Sequence, residues 1–168
     1  MLKITLSTKK FSLLFFISLL LLFAYSYNRV SLFTYKNNNS NSIPNSKKVV
    51  LYKDPSCTCC GGYASYLRKN GFSVEVVKVS NLNAIKKEKN VPWAVQSCHT
   101  AVFNDEYVIE GHVPLEAVNK LLAERPSVLG IALPGMPTGS PGMGGFKKEP
   151  FKIYTFNSSS NYELFTTL

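Results

Sequence analysis

Three of the chain's four cysteines fall within four residues, Cys57-Thr58-Cys59-Cys60. The cluster lies between a β-rich run, residues 47–52, and a helical pattern that follows. Asp54-Pro55 keeps the approach extended or turned, because proline restricts the residue before it. Thiols at a helix start meet unpaired N–H groups and the positive end of the helix dipole, which stabilise thiolate. Thiolate is both nucleophile and metal ligand, so the position suits thiol–disulfide exchange and soft-metal binding alike.

The surrounding pattern alternates strand and helix. Tyr63, Tyr66 and Leu67 at i, i+3 and i+4, closed by Asn70-Gly71, predict a short amphipathic helix over residues 61–70. Residues 72–79 alternate as a strand with one wet face. A second helix is expected over residues 80–89, capped by Ser80 or Asn81, with Lys86, Lys87 and Lys89 on a solvated face. Residues 100–103 and 107–110 read as strands joined by a turn at Asn104-Asp105-Glu106. Residues 114–124 form a third helix with Leu115, Val118, Leu121 and Leu122 on its apolar face and Glu116 paired to Lys120. The order β-α-β-α-β-β-α describes an α/β domain of thioredoxin-like arrangement. Residues 151–156 are expected as a last strand, and Trp93 as a packing anchor near the cysteine loop.

The domain is preceded by a different kind of segment. A short basic stretch leads into residues 11–24, fourteen positions almost entirely Leu, Phe, Ile and Ser. That is the n-region and h-region of an export signal. Cleavage after Ser26 is expected, or retention as an inner-membrane anchor, although the run is short for the roughly 20 residues of a span. No cysteine follows the apolar run closely, which excludes lipidation there. Residues 28–46 hold six Asn and four Ser without periodicity and read as a flexible linker. The expected organisation is a signal peptide or anchor at 1–27, a linker at 28–46 and a folded domain at 47–168, periplasmic or otherwise extracytoplasmic, with membrane contact only through the first segment.

Charge excludes one class of partner. The net charge is +9, but residues 1–46 hold five basic residues and no acid, leaving fourteen basic residues against ten acidic in the rest. Those do not cluster on a nucleic-acid motif, so no nucleic-acid partner is expected.

The cysteines admit three readings. Cys57 and Cys60 alone make a C-x-x-C beside a βαβ unit, the redox signature, with Cys57 attacking and Cys60 resolving. Cys59 argues against that as the main role, since a third thiol between two redox partners invites wrong mixed disulfides. With Cys98, the cluster offers four soft donors. Adjacent Cys59 and Cys60 diverge by about 100° on a helix, which suits bridging thiolates shared among several Cu(I) ions better than one tetrahedral ion. An exported chain with an even cysteine count also permits purely structural disulfides. Cys98-His99 precedes the third strand, where a thioredoxin-like fold would bring it to the C-x-x-C. His99, at the place of the thioredoxin cis-proline, is a candidate ligand or thiolate tuner. His112 is expected to cap or to make a core hydrogen bond, with a metal role as the lesser alternative. Residues 133–145 contain three Pro, five Gly and two Met, so neither helix nor strand is expected. Met136 and Met143 there offer thioether donors to Cu(I) or dock the loop.

The strings Y-K-D-P-S-C-T-C-C-G-G-Y, S-C-H-T-A-V, Y-V-I-E-G-H-V-P, L-L-A-E-R-P and L-P-G-M-P-T-G-S-P-G-M together resemble the CopG family of bacterial copper-resistance proteins. The resemblance runs from about Val49 to Phe156. It implies an exported, thioredoxin-like protein that handles copper, with Cys57, Cys59, Cys60 and Cys98 as the copper-binding thiols. His99, Met136 and Met143 match as well. Copper carriers, exporters or cuproproteins are the implied partners, with a thiol reductant if the site also cycles. A periplasmic thiol–disulfide oxidoreductase is the alternative.

Overall fold

The computed structural model describes residues 18–23, 25, 47–157 and 161–168. Contacts divide the chain into two units, Met1–Ser42 and Ile43–Leu168. In the first unit, residues 18–23 and Tyr25 are helical. The rest of the expected export segment, the cleavage point at Ser26 and the whole of the expected linker, residues 28–46, lie outside the described residues. Among the described residues no helix is long and apolar enough to cross a membrane.

In the second unit the order is β1 (Lys48–Lys53), α1 (Thr58–Lys69), β2 (Ser73–Lys78), α2 (Leu82–Glu88), a 3₁₀ turn (Trp93–Val95), β3 (His99–Phe103), β4 (Tyr107–Glu110), α3 (Leu115–Glu124), β5 (Gly130–Ala132), β6 (Lys152–Phe156) and β7 (Tyr162–Thr167). The strands form one mixed sheet in the order β2-β1-β3-β4-β5-β6-β7. β1 runs parallel to β2 across α1, and β4 parallel to β5 across α3; the remaining neighbours are antiparallel.

Side-chain alternation along β3 and β4 decides what each face holds. Ala101, Phe103, Tyr107 and Ile109 join Tyr63, Ala64 and Leu67 of α1 and Val118 and Leu121 of α3 in the main core. His99 shares their parity on β3 and lies against Tyr63, ring centroids 4.8 Å apart. Val108, Ala132 and Phe156 form a smaller apolar cluster with Val91 and Val95. Thr100 and Glu110 are register partners and share the parity of Val108, not of Ile109.

That placement corrects the expectation for Lys86. It is not solvated: its ammonium is buried and paired with the equally buried Glu110 carboxylate, and it donates to Thr100 Oγ1 at 3.2 Å. Strand register presents a carboxylate beneath α2, and the lysine folds inward to neutralise it. Trp93 is corrected the other way. It is 88% exposed on the 3₁₀ turn, and Val91 and Val95 do the packing there. Lys120 pairs with Glu124, at 3.0 Å, and not with Glu116. Two strands, β5 and β7, were not expected; each owes its conformation to pairing with distant residues. The first helix also starts earlier than its apolar pattern indicates, at Thr58, which draws Cys59 and Cys60 into its first turn.

Candidate metal centre

Cys57 is the N-cap of α1, and its sulfur accepts from the Cys60 N–H at 3.4 Å. Cys57 and Cys60 are joined as a disulfide, and Cys59 and Cys98 are free thiols. Cys59 Sγ lies 3.4 Å from Cys57 Sγ. Cys98, one residue before β3, lies against the start of α1, because β3 is hydrogen-bonded alongside β1 and β1 feeds α1. Its carbonyl oxygen stands 3.6 Å from Cys60 Sγ. All four sulfurs lie within 4.8 Å of one another. This is a soft donor set concentrated at the start of α1.

A second group shares Cys98. His112 Nε2 lies 3.1 Å from Cys98 Sγ, and His99 Nδ1 lies 3.4 Å from it. Cys98, His99 and His112 also hold their ligand atoms within 4.8 Å of one another. His112 Nδ1 donates to the Pro141 carbonyl at 2.7 Å. That bond puts the proton of a neutral ring on Nδ1 and leaves Nε2 with a lone pair facing the sulfur. Burial pushes both imidazoles below their ordinary pKa; the neighbouring His112 adds to the shift at His99, while the Pro141 contact opposes it at His112. Both are therefore neutral at pH 7, the form that binds metals. Burial, and then the facing Cys59, pushes the Cys98 thiol up to about 12. A metal-free Cys98 therefore keeps its proton at neutral pH and donates it toward His112 Nε2. His99 Nε2 is buried with no hydrogen-bond partner. No cis peptide bond is present among the described residues, so β3 begins at His99 with an ordinary trans bond.

The loop at residues 133–145 is clamped over this centre by its backbone. Gly135 O accepts from Ser97 Oγ, beside Cys98. Pro141 O accepts from His112. Gly142, at φ +80°, rests on Gly62 of α1, and a Cβ on Gly62 would stand 2.6 Å from Gly142 O. Met136 and Met143 each follow one of these anchor points directly. Met136 is 54% exposed and Met143 is half-buried, so neither serves as core filler.

Gly62→Ala is expected to lift this loop. Alanine favours the helix by about 1 kcal/mol over glycine, so a net loss would report the Gly142 contact alone. Overpacking of this kind costs about 1–3 kcal/mol, which corresponds to exchange of the Ser140 and Met143 amides roughly 5- to 150-fold faster. Unchanged exchange there would show that the loop is held elsewhere.

The expected set Cys57, Cys59, Cys60, Cys98 and His99 thus comes together in one place. His112 makes the expected core hydrogen bond, through Nδ1 to Pro141 O, and also faces the thiols through Nε2. The hairpin held the signal: each step back from Thr100 on β3 matches one step forward from Glu110 on β4, so two steps set Cys98 opposite His112.

A family model described as "Protein of unknown function, DUF411" matches residues 95–143. No curated protein matches the chain. Among solved structures, Form 1 and Form 2 of copper resistance protein CopG are each 34% identical to it, with a TM-score of 0.66. Each match covers 72% of this chain, and 97% of the Form 2 chain and 96% of the Form 1 chain.

Proposed function

The chain belongs to the CopG family of copper-resistance proteins, and from that premise we propose that it binds Cu(I) through Cys57, Cys59, Cys60 and Cys98 in an extracytoplasmic, thioredoxin-like domain. One observation carries the reading: four sulfurs within 4.8 Å of one another at a helix start. Cu(I) is the soft ion that thiolate and thioether select. Adjacent Cys59 and Cys60 diverge on a helix, so thiolates bridging several low-coordinate ions fit the spread better than one tetrahedral ion does. In this reading Met136 and Met143, each one residue past a backbone anchor of the clamped loop, are additional thioether donors. The thioredoxin-like assignment is supported by the parallel β1–α1–β2 unit and by β3 and β4 continuing the sheet antiparallel from β1. Export is supported by the basic stretch and apolar run at the N-terminus. In this role the protein buffers copper or passes it to carriers, exporters or cuproproteins.

The Cys57–Cys60 disulfide favours one second reading, a thiol–disulfide oxidoreductase. Disulfide and thiolate–copper bonding use the same sulfurs, so each state excludes the other. Cys59→Ser separates the readings. The reduced protein, loaded anaerobically with Cu(I) and desalted, is expected to retain more than one copper per chain and to lose much of that capacity in Cys59→Ser. If no copper is retained and disulfide exchange survives the substitution, the oxidoreductase reading takes over.

A further inference from the structure

The Cys57–Cys60 bond withdraws two of the four sulfurs as thiolate donors, yet it leaves the donors around Cys98 in place. We infer that the disulfide-bonded protein holds one divalent transition ion of borderline softness on Cys98 Sγ, His112 Nε2 and His99 Nδ1, a site that shares Cys98 with the four-sulfur group. The inference rests on the reading of Cys98 as a metal thiolate, and it assigns the histidines and the divalent ion to the oxidised state.

Geometry carries it. An ion with bonds of about 2.3 Å to sulfur and about 2.05 Å to nitrogen, at the tetrahedral angle, holds sulfur and nitrogen about 3.5 Å apart. The two sulfur–nitrogen separations here are 3.1 and 3.4 Å, so the donors need to part by only a few tenths of an ångström. The rings meet edge to face, centroids 4.8 Å apart and planes 84° apart, which lets two imidazoles approach one point from different directions. His112 is already set in the tautomer a ligand needs, its Nδ1–H held by the Pro141 carbonyl, the supporting contact that metal-binding histidines usually have.

His99 brings its Nδ1 to the same sulfur at 3.4 Å. It does not have the supporting contact of His112: its Nε2 is buried without a partner, and a metal on Nδ1 leaves an N–H there. Cys59, the other free thiol, has its sulfur within 4.8 Å of Cys98 Sγ and is the nearest donor for a fourth position. One or two thiolates with two imidazoles is a zinc-type set, in which nitrogen donors join the sulfur that Cu(I) prefers.

The test uses the full-length protein, oxidised until two of four thiols remain titratable and the Cys57–Cys60 bond is confirmed by peptide mass. Zinc is added, the sample is dialysed, and metal per chain is measured. Cobalt(II) in a parallel sample reports thiolate ligation through its sulfur charge-transfer absorption. The expected result is one zinc per chain, with the affinity falling more than about 100-fold in His112→Ala and the cobalt band lost in Cys98→Ser. That second variant is near-isosteric and decides the matter should His112→Ala unfold. No zinc on the oxidised wild type, or zinc and cobalt spectra unchanged in both variants, overturns the inference. Copper loading of the reduced wild type is measured alongside. Copper bound with zinc refused removes this site alone, and zinc bound with copper refused removes the copper reading instead.

Discussion

Cys98→Ser is expected to cost the protein more metal than any other single exchange. Its sulfur is the one donor common to the four-sulfur group and to the group with His99 and His112. Serine has nearly the same shape, so the fold should survive: the Cys98 side chain bridges two groups but fills no part of the main core. A hydroxyl is a poor ligand for Cu(I), and it does not ionise at neutral pH to replace the lost negative charge. Loss of a supporting contact to a ligand costs about 10- to 100-fold in affinity. Loss of the shared ligand itself should exceed the upper end of that range. The measurement is copper retained per chain by the reduced protein after desalting, against a competing chelator, with a thermal melt to verify the fold. A variant that melts like wild type and keeps its copper would show that the helix-start cysteines suffice, and that Cys98 is a bystander held there by β3.

What the sequence discloses here follows how local each cause is. Tyr63, Tyr66 and Leu67 announce α1 because helical spacing is a property of neighbours. The β3–β4 turn is equally local, with Asn104 and Asp105 both at positive φ, near +56° and +57°, where these two residue types are tolerated. β5 has three residues, and nothing in Gly-Ile-Ala distinguishes it from a loop. It is a strand because β4 and β6 flank it. The cysteine cluster was legible as chemistry, since thiols are rare and their spacing is informative. Its histidine partner was not, because the role of His112 depends on a proton position set by Pro141, 29 residues further on. The hidden charge of Lys86 has the same origin: its partner lies 24 residues away on β4, and lysine runs in short helices normally face water.

Breaking that hidden pair from one side should be the most destabilising of these changes. The Glu110 carboxylate accepts from the Lys86 ammonium, from Thr100 Oγ1 at 2.7 Å and from the Ser97 backbone N–H at 2.6 Å. Burial pushes its pKa up, and Lys86 together with these donors pulls against that. With side-chain exposures of 3% for Lys86 and 0% for Glu110, solvent does little to screen the pair. Glu110→Ala therefore strands a buried ammonium and two donors. Removing one partner of such a pair costs about 3–5 kcal/mol, which for a domain of this size lowers Tm by roughly 10–20 °C. Lys86→Met alone should cost a similar amount, by stranding the carboxylate. The double variant Lys86→Met with Glu110→Gln removes both charges and keeps an acceptor for Ser97, so it should lose much less than the two single losses added together. A coupling of about 2 kcal/mol or more in urea denaturation would establish the pair as one unit, whereas additive losses below about 1 kcal/mol each would show that water reaches it. The consequence extends to the metal centre, because Ser97 immediately precedes Cys98. Its N–H is fixed by Glu110 and its hydroxyl by Gly135 O, so the carboxylate sets where the Cys98 sulfur stands. Among variants that remain folded, those that free Ser97 should weaken copper binding by about 10- to 100-fold, and the double variant, which holds Ser97, should not.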